Sequence, residues 1–308
     1  MRASLYAAGW RNAEVVELAD TLGSGSSGRK AVRVRIPPSA PSPSVCYSLN
    51  NSPMIESIER KILKNSGNSL TEVVDRIAVE KRIVICINGK EVLSMFATPM
   101  MVRELVAGIL ATEPIIEGGW CADRMSIEYG DAVRVDVPAE GRVSLDGAVI
   151  TSGCIGGVTF PKRMTITQTD DPFTISPARL KALFHRFQRA SALYQATGCV
   201  HSAALSDGDD ILCLAEDIGR HNAVDKIIGY GILEQVPFAG KIMLASGRLS
   251  SEIVAKCAKW HIPIVASRTS PTSLALEIAE KGGVTVVGFI RADRLNVYTN
   301  PQRIGPQD

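Results

Sequence analysis

The chain has 308 residues, 45% hydrophobic and 21% charged, with a formal net charge of +2. That length allows one large domain or two ordinary ones with a substantial core, and the small charge does not predict nucleic-acid binding. Apolar runs fall short of a membrane span and no apolar signal core opens the chain, so a cytoplasmic protein with no membrane and no nucleic-acid partner is expected.

The first 53 residues are rich in Ser, Pro and Gly beyond Gly23, and PPSAPSPS at Pro37–Ser44 cannot build a core. They are read as a disordered leader or a start-site extension. Residues 54–165 form a smaller, strand-rich α+β region. Arg82–Asn88 is an apolar run, Asn88-Gly89 a hairpin turn, and Glu91–Ala97 the partner strand. Thr98 is expected to cap a helix with Pro99 at its first position. Met101, Leu105, Val106, Ile109 and Leu110 form its apolar face. Met125–Glu128 and Val133–Val137 read as further strands.

Seven cysteines are irregularly spaced, at 46, 86, 121, 154, 199, 213 and 257, with no CxxC pair. A reduced compartment fits better than a disulfide framework, and no intrinsic metal is expected. Cys154 stands out, because TSGCIGG (Thr151–Gly157) surrounds it with three glycines. Little side-chain bulk shields that sulfur, and thiolate chemistry needs access.

Residues 166–308 read as an α/β domain. Ser176-Pro177 starts a helix with Leu180, Leu183, Phe184 and Phe187 on one face. Two strands follow around Asp207-Gly208, with Cys199 and His201 at the start of the first. Ile211–Leu214 leads into AEDIGRHNAVDKIIG, Ala215–Gly229. Its charged residues fall on a strand-to-helix turn, where Gly219 is expected at φ > 0 and Asn222 suits a helix cap. Arg220 is suited to hold a phosphate or lower a thiol pKa, and Asp217 to orient His221. His221 and His201 are the candidate acid–base groups. Strands at Ile242–Ala245, Ile262–Ala266 and Val284–Phe289 alternate with helices at Ser250–Trp260 and Pro271–Lys281. This pattern implies βαβ units and a parallel sheet. Ser246-Gly247-Arg248 and Ser267–Ser270 follow strand ends, where open α/β sheets bind ligands. Arg248 and Arg268 suit phosphate there. Phe289, Ile290, Arg291, Ala292, Asp293 and Arg294 follow the last long strand, and two arginines around an acid suit a phosphorylated, guanine-bearing ligand. Asn296–Thr299 reads as a final strand.

EDIGRHNAVDK closely resembles the signature of the FdhD/NarQ family, the formate dehydrogenase accessory sulfurtransferases. TPMMVRELVAGIL, TSGC, TGCVHSAAL, SGRLSSEIVAKCA, SPTSLALEIAE and VGFIRADRLNVYT resemble the same family, covering about Ile83 to Ile304. The resemblance implies a cytidine-deaminase-like three-layer fold for the C-terminal domain. It places a persulfide on Cys154 and the contact with the molybdenum cofactor at Phe289–Arg294. It implies that sulfur passes from a cysteine desulfurase to a molybdenum bis(molybdopterin guanine dinucleotide) cofactor serving formate dehydrogenase, and that the protein is a homodimer. Many family members carry a second cysteine soon after the first. Here Ile155, Gly156 and Gly157 follow Cys154, so a mechanism needing an adjacent resolving thiol is not expected. The alternative is a non-catalytic carrier or chaperone for the same guanine-nucleotide-bearing cofactor. A zinc deaminase ranks low, because His201-Ser202-Ala203 replaces H-x-E and PCxxC is missing. A Rossmann dehydrogenase is also weak, because no G-x-G-x-x-G follows a predicted strand.

Overall fold

The computed structural model describes residues 55–144 and 166–305, and the backbone of two short strands at 149–150 and 158–159. The TSGCIGG segment with Cys154 lies outside the described residues, as do residues 1–54.

The described chain opens with a hairpin of β1 (Ser57–Ser66) and β2 (Ser69–Ala78), paired only with each other. Apolar side chains occupy both of its faces, and Leu63, Leu70 and Val74 are exposed. Periodicity in this charged stretch does not announce it, and the sequence reading assigned it no strands. β3 (Lys81–Ile87) and β4 (Lys90–Ala97) form the expected hairpin. Asn88 and Gly89 turn it with φ of 51° and 80°, the double positive φ of a type I′ turn.

Helix α1 (Val102–Thr112) starts later than the sequence suggested. Thr98 does not cap it: the Thr98 amide donates to Asp217 and its hydroxyl to the Glu216 carbonyl. β5 (Ile116–Glu117), β6 (Ser126–Tyr129), β7 (Ala132–Val137) and β8 (Arg142–Val143) follow, then β9 (Val149–Ile150) paired antiparallel with β10 (Val158–Thr159). The sheet β4-β3-β7-β6 packs Ile83, Ile85, Val133 and Val135 against Leu105, Val106 and Ile109 of α1. This makes one core.

The second core is built on α2 (Pro177–Ala190), α3 (Ala192–Thr197), β11 (His201–Ser206), β12 (Ile211–Asp217), α4 (Arg220–Leu233), β13 (Ile242–Ala245), α5 (Ser251–Lys259), β14 (Ile264–Ser267), α6 (Ser273–Gly282), β15 (Thr285–Gly288) and β16 (Asn296–Val297). Ser176 caps α2 as expected, its hydroxyl accepting from the Arg179 amide. α6 is capped by Thr272, not opened at Pro271, and α3 was not foreseen. β16 is shorter than the predicted Asn296–Thr299 strand.

Six strands lie in the order β12-β11-β13-β14-β15-β16. β13, β14 and β15 are parallel, while β11 is antiparallel to both β12 and β13. Alternate side chains point to opposite faces. Ala203, Leu205, Met243 and Val265 meet α4, α5 and α6 on one face, and Ala204, Leu244, Ile264 and Val287 meet Leu180, Phe184 and Phe187 of α2 on the other. The result is a three-layer α/β/α arrangement. It also sets the start of β11 beside the carboxyl ends of β12, β13, β14 and β15, at one end of the sheet.

The two cores join where α1 crosses α4. A Cβ added at Gly108 would lie 1.9 Å from the Asp225 carbonyl oxygen, and one at Gly229 would lie 1.8 Å from that of Glu104. Only glycine permits this approach. Beside it, Lys256 Nζ is 2.7 Å from both carboxylate oxygens of Asp225 and 3.2 Å from Glu113 Oε1. Burial opposes the Lys256 charge, but the two carboxylates outweigh it and hold its pKa above the ordinary value. Burial pulls neighbouring Lys259 down to about 8. Its Nζ donates to the Thr112 carbonyl. Among the described residues, no helix is long and apolar enough to cross a membrane.

Candidate functional site

The site is assembled around the turn from β12 into α4. Asp217 ends β12 with its side chain wholly buried, 2.6 Å from the equally buried Lys226 Nζ. Its Oδ1 accepts from the amide of Gly219 at 2.8 Å and from Asn222 Nδ2 at 2.9 Å. Its Oδ2 accepts from the Thr98 amide. Lys226 also donates to the carbonyls of Thr98 and Glu216. A carboxylate holding this many donors pins the turn and has no hydrogen bond to His221. Asn222 serves the same anchor instead of capping α4. Gly219 has φ of −101°, so left-handed backbone is not why glycine stands there. A Cβ would lie 2.9 Å from Asn222 Nδ2.

This anchored turn projects Arg220 and His221 from the first two positions of α4, where unpaired amides and the helix dipole favour anions. Arg220 is 8% exposed. Its Nε has no hydrogen-bond partner among the described residues. A buried donor without a partner is costly and calls for a ligand or water. Gly247, just past β13, is wedged beside it: an added Cβ would lie 3.3 Å from Arg220 Cδ and 3.3 Å from His201 Nδ1.

His201 begins β11 opposite Asp217 in the ladder. Its Nδ1 is 3.4 Å from Ser246 Oγ, which accepts the Ser202 amide. Burial, then the positive charge of Arg220, holds the His201 pKa below the ordinary imidazole value; His221 and Arg248 act the same way and Asp217 opposes. His201 is therefore neutral at physiological pH.

His221 is held by α5. Its Nε2 is 3.1 Å from Glu252 Oε2 and 3.0 Å from Ser250 Oγ. The hydrogen bond from His221, reinforced by one from Ser250 and opposed by burial, lowers the Glu252 carboxyl to about 2. Glu252 is thus the carboxylate that orients His221, the role the sequence reading gave to Asp217. Neither Ser250 nor Glu252 was foreseen as a site residue. The available signal was their place directly after Ser246-Gly247-Arg248, in the loop and first turn following a strand end.

The remaining loops join this cluster through Ser267. Its hydroxyl donates to the Gly247 carbonyl at 2.7 Å and accepts the Thr269 amide. The amides of Phe289 and Ile290 donate to the carbonyls of Thr269 and Ser267. Arg291 Nη1 donates to the carbonyls of Arg268 and Ile290, which leaves Arg291 fastening two loops together. Arg291, Ala292, Asp293 and Arg294 are exposed, Phe289 is half-buried and Ile290 buried. Arg248 is exposed and Arg268 half-buried. The structure thus brings His201, Arg220, His221 and Gly247 into one cluster, and fastens the 289–291 segment to it through Ser267. Cys154, the predicted sulfur-bearing residue, lies outside the described residues.

The model of the FdhD/NarQ family matches residues 78–305. The chain belongs to that family. It is 35% identical over 252 residues to the sulfur carrier protein FdhD of Bacillus licheniformis, covering 80% of this chain and 96% of the relative. The Bacillus pumilus protein of the same name is 38% identical over 256 residues, covering 80% and 97%. A crystal structure from Desulfotalea psychrophila, described as a formate dehydrogenase accessory protein, superimposes with a TM-score of 0.67 at 29% identity. That match covers 82% of this chain and 100% of the other. The cluster of His201, Arg220, His221 and Gly247 therefore lies within the part of the chain that defines the FdhD/NarQ family.

Proposed function

We propose that this chain is a cytoplasmic, homodimeric sulfur carrier: it takes a persulfide sulfur onto Cys154 from a cysteine desulfurase and delivers it to a molybdenum bis(molybdopterin guanine dinucleotide) bound as substrate, for use by formate dehydrogenase. The observation that carries this is the gathering of a buried, unpartnered Arg220 Nε with two imidazoles at one end of the sheet. The naming of relatives as sulfur carriers supports the transfer. An anionic ligand satisfies the Arg220 donor, the first amides of α4 strengthen the same preference, and exposed Arg248 adds charge at the rim. The 289–294 segment is the place for the guanine-bearing end of that ligand. Loading of Cys154 from a persulfide donor moves a sulfane sulfur between thiols with no net oxidation, so thiolate formation and proton handling suffice for that step.

Intact mass spectrometry after incubation with a cysteine desulfurase and cysteine tests the reading. Wild type gains one reducible sulfur and Cys154→Ala gains none; no gain, or an equal gain in both, overturns it. One observation favours a second reading, a carrier of the cofactor without chemistry: no second thiol closely follows Cys154. On that reading Cys154→Ala retains both ligand binding and client activation.

A further inference from the structure

The hydrogen bonds around His221 fix the position of its proton. Nε2 has two neighbours, Glu252 Oε2 at 3.1 Å and Ser250 Oγ at 3.0 Å. An ionised carboxylate only accepts. Ser250 has a single hydroxyl hydrogen and donates it to Glu252 Oε2 at 2.7 Å, so toward His221 it too only accepts. Both neighbours of Nε2 are acceptors, and Nε2 must carry the hydrogen. No described residue hydrogen-bonds Nδ1. In its neutral form His221 therefore carries its lone pair on Nδ1, the nitrogen not engaged by the α5 anchor.

We propose that Glu252, with Ser250, is the positioning residue for His221, fixing the Nε2–H tautomer so that Nδ1 is the atom that takes the proton of a thiol during sulfur transfer. This rests on the sulfur-carrier reading. In the step, an acceptor thiol gives its proton to Nδ1, and the resulting thiolate attacks the sulfane sulfur of a donor persulfide. A new S–S bond forms and the donor's S–S bond breaks. The donor sulfur leaves as thiolate and takes the proton back from Nδ1. One thiol and one persulfide become one persulfide and one thiol, and no oxidant is required. The charged and titratable groups around His221 are Glu252 from α5, Arg220 from α4, His201 from β11, and Arg248 and Asp217 beyond His201. His201 has no carboxylate within hydrogen-bond reach among the described residues, which leaves His221 as the imidazole with an adjacent carboxylate to orient it.

The test combines two readouts on the full-length protein. Nitrogen-15 NMR of labelled histidine reads the tautomer of His221 in wild type, Glu252→Gln and Glu252→Asp, without any sulfur donor. Wild type is expected to show Nε2–H with Nδ1 bare. A bare Nε2 overturns the proposal, whatever the protein does with sulfur. The rate of sulfur loading from a small-molecule persulfide is then followed against pH. Glu252→Gln is expected to load roughly 10–100-fold more slowly at neutral pH with a displaced acidic limb, and Glu252→Asp to recover part of the rate. A Glu252→Gln variant with the wild-type profile overturns the proposal. Absence of loading in wild type, with the tautomer as expected, overturns the sulfur-carrier reading and with it the role in transfer, but not the tautomer.

Discussion

Two pairs of acidic and basic side chains flank the same turn, and they differ in what they leave open. Asp217 and Lys226 are 2.6 Å apart with neither side chain exposed. Each of their polar atoms is spent on a neighbour, an amide or a carbonyl of the surrounding backbone. His221 and Glu252 lie 3.1 Å apart at 15% and 20% exposure, and one imidazole nitrogen has no hydrogen-bond partner among the described residues. The first pair holds backbone in place and the second presents an atom. Charge at a strand-to-helix turn does not by itself mark chemistry; an unspent valence beside the charge does.

The largest effect separating the pairs is on stability. Asp217→Ala strands a buried ammonium and loosens the Thr98 and Gly219 amides, and a cost of about 3–5 kcal/mol is expected. Urea unfolding measures it, and a loss under about 1 kcal/mol would make the two pairs alike. Gly229→Ala follows, because the new methyl meets the Glu104 carbonyl oxygen and α1 must move off α4. About 1–3 kcal/mol or more is expected, read as a lower unfolding midpoint.

Glu252→Gln comes third and shows itself in pH dependence. The folded carboxyl sits at about 2, below its ordinary 4.5. Its stabilisation is complete above about pH 4.5 and is lost as pH falls through about 2. The variant should therefore lose stability at neutral pH and show a flatter stability curve between those values, a difference acid titration followed by circular dichroism detects. Arg248→Ala is the smallest, within about 0.5 kcal/mol in stability because the side chain is exposed. Its effect should appear instead in weaker binding of a guanine nucleotide, measured by calorimetry.

The same contrast explains what could be read from the chain. The β3–β4 hairpin, the Ser176 cap and the parallel strands β13, β14 and β15 follow from local rules of turn, cap and alternation. So does the placing of Arg220 and the 246–248 loop at one end of the sheet, since both follow strand ends. The choice between Asp217 and Glu252 as partner of His221 is different. Asp217 is four positions away in sequence, but its valences are taken by Thr98 and Lys226, the former 119 residues distant. Glu252 reaches His221 only because α5 packs beside α4. The late start of α1 has a similar cause, since Thr98 binds Glu216 and Asp217 instead of its own helix. The β1–β2 hairpin was missed because apolar residues sit on both of its faces, which blurs the alternation that betrays a half-buried strand.

Lys256 joins residues contributed by both halves of the chain: Asp225 from the second core and Glu113 from the end of α1 in the first. Cutting the gene anywhere between the two cores would give a C-terminal fragment with Gly108's seat on α4 bared and an amine missing half its counter-charge. Complementation by two separately expressed pieces is therefore a demanding use of this protein.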